Sequence, residues 1–183
     1  EVGVIGLGTE HFDPAAEVRD AILRTAVEAG VNYIDLLYVD EDYWRAFGPI
    51  FRPYRQRFVV AAHWGGGADW SVDRSQQAFD NVLAQLGNGY AELAMITMID
   101  SMEAWTGWAA ESVSRLQRYQ DQGRIGHIAL SGHVESVAVA AVRSGLIDVL
   151  MFPINLVGHA EEPNRAVRRA CAEENVGLVA VKP

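Results

Sequence analysis

Cysteine occurs once, at Cys171. A lone thiol makes no internal disulfide and no cysteine-built zinc or iron–sulfur site from this sequence, so no metal is expected. It fits a reducing compartment, and a cytoplasmic location is the expectation. Cations are also scarce: 15 Lys and Arg face 24 Asp and Glu, for a formal net charge of -9. A binder of phosphate backbones needs clustered positive charge, so no nucleic-acid partner is expected. The densest basic stretch, Arg165, Arg168 and Arg169, has helical spacing and reads as a solvated face. No apolar run approaches the ~20 residues of a membrane-spanning helix, and no membrane partner is expected. Phosphate-binding fingerprints are missing as well. The first apolar run gives "GVIGLGTEHFDP", where Gly6 and Gly8 are followed by His11 in place of the third glycine of a dinucleotide fold. Gly65-Gly66-Gly67 is not followed by a Lys-Ser/Thr pair, so it reads as a hinge in a loop rather than a P-loop.

What is present is an alternating rhythm. The chain of 183 residues is 50% apolar, with mean hydropathy +0.02, enough for one domain with a substantial core. Apolar, β-branched runs fall at 2–7, 33–37, 58–62, 93–99, 125–130, 149–152 and 176–181. Segments of helical period lie between them at 15–29, 42–51, 73–86, 103–120, 134–144 and 164–174. Gly30, Gly87, Gly123, Gly145 and Gly177 punctuate the helix-to-strand joints. Runs apolar on both faces suit a parallel sheet covered by helices. The expected class is therefore α/β, either an open doubly wound sheet or a (β/α)8 TIM-type barrel represented by about seven strands and six helices, with residues 1–183 as a single domain.

The strand ends favour the barrel, because a barrel gathers its chemistry at the carboxyl ends of several strands. Each run here ends on polar groups: Thr9-Glu10-His11, Asp35, His63, Thr97, Ser131 with His133, Asn155, and Lys182. Asp35 stands out, since it interrupts an apolar run instead of following it. Four tryptophans, Trp64, Trp70, Trp105 and Trp108, also fall just after predicted strands. They would line a pocket at the mouth, or roof the core.

At this point the chain resembles the aldo-keto reductase superfamily. "GLGT" closing strand one, "AVEAGVNYIDL" entering strand two, "VLAQLGNGYAEL" before strand four, "GRIGHIALSGH" through strand five and "IDVLMFPINL" through strand six carry the likeness in order along nearly the whole chain. The "YIDL…EDY…FG" stretch is similar to the divergent branch that often carries a C-terminal ferredoxin-like segment. The resemblance implies a TIM-type barrel that transfers hydride from NADP(H) to a carbonyl, or takes it from an alcohol. A Tyr would give the proton, tuned by an Asp and a Lys, and a His would orient the carbonyl. Position by position, Asp35 matches the Asp. Asp40 stands where the Tyr is expected, His63 where the Lys is, and Thr97 where the His is. A carboxylate beside an imidazole favours the charged ring, so Asp35 and His63 are expected to pair as catalytic groups or as a structural ion pair. Tyr43 is expected to fold over the mouth as a replacement acid, or to pack as an ordinary helix residue.

On the cofactor side, the resemblance assigns Thr9, Asp35, Ser131 and Asn155 to NADP(H). It also implies a Ser-Asn pair and a Gln around the nicotinamide, where this chain has Ser131-Gly132 and Met151. Cofactor binding by this chain alone is expected to be weak or absent. The adenosine-phosphate site of the family lies on an eighth strand, so a missing C-terminal segment or a partner chain is expected to close the barrel. Two functions follow: an oxidoreductase with a non-standard proton donor acting on a small-molecule carbonyl or alcohol, or a catalytically degraded barrel serving as a binding or partner subunit.

Overall fold

The computed structural model describes residues 1–12, 15–155, 157–158 and 161–182. Seven parallel strands form one curled sheet in sequence order: β1 (Gly6–Gly8), β2 (Tyr33–Leu36), β3 (Val59–Trp64), β4 (Ala91–Ile96), β5 (Ile125–Ser131), β6 (Val149–Pro153) and β7 (Gly177–Val181). Between them run α1 (Ala16–Glu28), α2 (Glu41–Phe51), α3 (Val72–Gln85), α4 (Met102–Ala104) continuing through a π-helical turn into α5 (Ala110–Asp121), α6 (Glu135–Arg143) and α7 (Glu162–Glu173). Strand following strand in strict order, each crossover helical, is the barrel-type arrangement and not the doubly wound one, whose order reverses at a switch point.

The two faces of the sheet separate by residue parity, as alternating Cβ directions require. Val60, Ala62 and Trp64 of β3 join Ile34, Leu36, Ala94, Ile96 and Leu130 in a large core with the helices. Tyr33, Ala61, Leu93, Met95, Ala129 and Met151 form a second cluster on the concave face. Asp35, His63 and Thr97 share the parity of this second set, so the concave face carries them. Burying each large side chain of the outer core, such as Trp44, Phe47 and Phe51, contributes ~1.5–3 kcal/mol.

Local chemistry sets the helix starts near the mouth. Asp40 Oδ1 accepts the Tyr43 backbone N–H at 2.9 Å and caps α2, and the Ser71 and Ser101 hydroxyls cap α3 and α4 in the same way. Asp40 thus has a local role as a helix cap.

The first strand is later and shorter than the apolar run 2–7 suggests. Only Gly6–Gly8 pair with β2, while Val2, Val4 and Ile5 are exposed. The Asn32 side chain accounts for the difference: it takes the Gly3 N–H at 2.7 Å and donates to the Glu1 carbonyl at 2.9 Å, holding this segment through a side chain instead of a ladder. Among the described residues β7 pairs only with β6, so β1 and β7 are both edges. Between them the concave face encloses a hollow of about 800 Å³ bordered by Tyr33, Asp35, Met151, Val179 and Val181.

Candidate active site

Register places the acidic and basic groups on one diagonal. Asp35 pairs with Ala61, and His63 lies two residues further along β3, on the same face and one step up. His63 in turn pairs with Met95, and Thr97 lies two residues beyond it, past the end of β4. Diagonal neighbours of this kind are within reach of long side chains. The contacts follow: His63 Nε2 to Asp35 Oδ1 at 2.9 Å and His63 Nδ1 to Thr97 Oγ1 at 2.9 Å. The imidazole is buried, with 3% of its side chain exposed against 18% for Asp35.

Donor and acceptor counting restricts the protons in this line. The carboxylate only accepts, so His63 Nε2 carries a hydrogen. Two arrangements then remain. In the neutral ring, the Thr97 hydroxyl donates to Nδ1. In the imidazolium, Nδ1–H donates to Thr97 Oγ1, and that hydroxyl turns to the Met95 carbonyl, which lies 3.3 Å away. Both states are satisfied without moving a heavy atom. A group with that property gives and takes a proton at low reorganisation cost, which suits a general acid or base.

The sequence-predicted residues divide cleanly. Asp35 and His63 come together. Tyr43 does not join them: it sits in the first turn of α2, its ring 4.7 Å from Tyr38, 5.3 Å from Phe47 and 5.1 Å from the Arg19 guanidinium. Its hydroxyl is buried without a well-formed hydrogen bond. Burial pushes its pKa above the ordinary phenol value, opposed by Arg19 and the nearby Thr9 hydroxyl. Thr9 is fully buried and anchors β2, its N–H and hydroxyl both donating to the Asp35 carbonyl, at 3.1 and 2.9 Å.

Ser131 Oγ accepts the Met98 N–H at 3.0 Å, where Met98 has φ 52°. Asn155 Oδ1 accepts the Gly158 N–H at 2.7 Å and shapes the loop after β6. Gly132 leaves no room for an amide, since a Cβ there would meet the Ile99 carbonyl oxygen at 2.7 Å. Among the described residues no cluster of three His, Cys, Asp or Glu is placed to hold a metal.

Thr97 is the member of the line that sequence reasoning placed but did not use, because a threonine at a strand end gives no signal until its partner is known. Tyr33 is another. It lies on the concave face two residues before Asp35, with its hydroxyl buried and unpartnered, and burial together with the Asp35 charge pushes its pKa well above the ordinary value. Of the tryptophans, Trp64 is fully buried in the outer core against Phe79 and Tyr119, and Trp105 is also buried. Trp70 is the one at the mouth, with the Arg74 guanidinium 3.6 Å above its ring. These two, with Tyr38, Gly65, Thr97 and Met98, border a cleft of about 320 Å³. His63 therefore bridges two spaces, touching Asp35 in the concave hollow and Thr97 in the cleft.

The sequence pattern of the Aldo/keto reductase family matches residues 3–183. The chain belongs to the aldo/keto reductase family. Solved structures agree on the fold of this aldo/keto reductase barrel. A Pseudomonas aeruginosa protein assigned to the aldo-keto reductases superposes with TM-score 0.82 at 23% identity, over 97% of this chain and 71% of that one. The holo form of an aldo-keto reductase from Bacillus halodurans gives TM-score 0.81 at 17% identity, over 98% of this chain and 61% of that one. One from Brucella melitensis gives 0.73 at 15% identity, over 98% and 68%. The chain thus spans about two thirds of the length of these aldo-keto reductases. No curated protein matches it.

Proposed function

We propose that this aldo/keto reductase barrel carries out NADP(H)-linked reduction of a small carbonyl compound, or the reverse oxidation of an alcohol, with His63 as the proton donor in place of a tyrosine. The observation that carries this reading is the Asp35–His63–Thr97 line at the carboxyl end of the sheet, with both ring nitrogens bonded at 2.9 Å. Asp35 accepts the Nε2 hydrogen and holds the ring in place. Thr97 can accept from or donate to Nδ1, so the line keeps one geometry whichever side of that bond carries the hydrogen. Both bonds oppose rotation of the buried ring out of the line, so a carbonyl in the Trp70–Arg74 cleft would take the Thr97 hydroxyl hydrogen while Thr97 Oγ1 takes the hydrogen of His63 Nδ1.

The nicotinamide cofactor would supply hydride. The residues present fit its carboxamide at a small number of points: the Ser131 hydroxyl, whose own hydrogen has no acceptor among the described residues, and the Asn155 amide, whose Oδ1 accepts the Gly158 N–H. Gly132 and Met151 add no polar side chain, which supports weak binding. Tyr43 stays outside this mechanism, since a phenol with a raised pKa makes a poorer acid near neutrality. The open edges of β1 and β7 support a further reading: residues 1–183 act as one barrel domain whose eighth position is filled by additional polypeptide, as unpaired parallel edges need cover.

The test is consumption of NADPH on addition of a panel of short and aromatic aldehydes, with the alcohol product identified. Aldehyde-dependent oxidation with a matching alcohol supports the proposal. Absence of turnover at millimolar NADPH across the panel would sink it and leave a binding barrel.

A further inference from the structure

Lysine occurs once in this sequence, at Lys182, and every other basic side chain among the 15 Lys and Arg is arginine. That single amine stands just past β7 with φ 55°, a conformation L side chains rarely adopt. Its Nζ lies 3.1 Å from His133 Nε2. On the other side of the ring, His133 Nδ1 lies 3.0 Å from Asp100 Oδ2, and the His133 backbone N–H donates to Asp100 Oδ1 at 2.5 Å. The three residues come from the ends of β4, β5 and β7, and share no hydrogen bond with Asp35, His63 or Thr97. The backbone between them is closely fitted at Gly132, where a Cβ would also come 3.3 Å from Asp100 Oδ1.

The chemistry of the three groups fixes the direction of each bond. An ammonium offers hydrogens only, so His133 Nε2 accepts; Nδ1 then carries the ring hydrogen and donates to the Asp100 carboxylate. The result is an imidazole lone pair aimed at an amine and held there by a third group. Nucleophile, base in hydrogen-bond reach, and a residue orienting the base form the general signature of an activated nucleophile. Lysine is the cation that suits this role, because an arginine in its place would stay protonated.

We propose that Lys182 is an amine nucleophile toward aldehydes, with His133 as its base and Asp100 as the positioning residue. The amine passes one proton to His133 Nε2, leaving an imidazolium bonded to the Asp100 carboxylate. The free Nζ electron pair forms a bond to the aldehyde carbon while the C=O π pair moves to oxygen, which takes the proton back from His133. The carbinolamine loses its hydroxyl with a second hydrogen from nitrogen as water. One hydrogen stays on the C=N nitrogen, so ammonium plus aldehyde give protonated imine plus water, with no net change of charge.

The site needs no nicotinamide, so its test is independent of the reduction proposed for His63. The protein is incubated near neutral pH with glycolaldehyde and sodium cyanoborohydride, without NADPH, and the reduced adducts are mapped by peptide mass spectrometry. The chain's α-amino group is the internal reference. An ordinary lysine of pKa ~10.4 has roughly 300-fold less free amine at this pH than an α-amino group of pKa ~7.9. Lys182 is expected to react within about tenfold of the α-amine, and H133Q to slow it by about tenfold or more relative to that reference, roughly half of the activation on a logarithmic scale. D100N is expected to slow it in the same direction. A Lys182 that trails the α-amine by more than that margin in the wild-type protein, or a rate unmoved by H133Q, overturns the proposal.

Discussion

Replacing Thr97 with valine keeps the side-chain shape and removes the hydroxyl that meets His63 Nδ1. Thr97 is almost fully buried at the edge of the cleft, and the ring it serves is buried as well, so water is a poor replacement for the lost partner at either state of the ring. In the neutral ring Nδ1 loses its donor; in the imidazolium Nδ1–H loses its acceptor. An unsatisfied buried polar group costs ~1–3 kcal/mol. For a domain of this size each kcal/mol moves Tm by ~2–4 °C, which gives a fall of about 2–12 °C. Thr97→Ser keeps the oxygen and loses one methyl, a cost of ~0.8 kcal/mol from burial alone. Thermal unfolding followed by near-UV circular dichroism ranks the two variants, and nitrogen-15 shifts of His63 show whether one tautomer persists. The account expects T97V to melt below T97S and to lose the single ordered ring state. Equal melting of the two, with His63 shifts unchanged in T97V, would show that the hydroxyl does not serve the ring.

Other perturbations follow from the same contacts. The Arg55 guanidinium is buried against Glu92 at 2.9 Å, and the same carboxylate oxygen takes the Val60 N–H at 2.8 Å, so Glu92→Ala strands a buried charge. A loss of ~3–5 kcal/mol is expected from urea unfolding, and a loss under ~1 kcal/mol would contradict it. Tyr119 has its pKa pushed up to about 12 by burial and by its bond to Asp80 at 2.9 Å. Its neutral form is therefore favoured in the folded state, and that stability, complete below the unfolded value near 10, drains away as pH rises towards 12. Tyr119→Phe should flatten the dependence of Tm on pH in this window; an unchanged alkaline slope would exclude Tyr119 as its source. Titration of tryptophan fluorescence with NADPH should give only weak binding, above ~100 μM, or roughly 5.5 kcal/mol of affinity or less. Micromolar binding would mean that the cofactor is held by groups other than Ser131 and Asn155.

The sequence made the sheet legible because apolar runs with glycine at each helix-to-strand joint leave few alternatives, and polar strand ends pointed to a barrel. Asp35 and His63 were legible for a related reason: each is a titratable group inside an apolar run, and strand parity puts both on the concave face. What stayed hidden depended on side-chain contacts that no periodicity encodes. The amide of Asn32 holds residues 1–3 away from the ladder, so β1 starts at Gly6. Trp64 follows its strand's outer parity into the helical core. Tyr43 is carried by an Asp40-capped helix onto Arg19 and Phe47. The partners of Thr97 emerge only from the stagger of β3 against β4, which is set by the curl of the whole sheet.

The most direct measurement of the central claim is kcat/KM for aldehyde reduction by two variants side by side, His63→Gln and Tyr43→Phe, at saturating NADPH. Positioned acid catalysis contributes ~10²–10⁴-fold, so His63→Gln is expected to lose at least ~100-fold while Tyr43→Phe stays within about threefold of wild type. The reverse ranking, with Tyr43→Phe inactive and His63→Gln near wild type, would contradict the account and return the proton to the phenol.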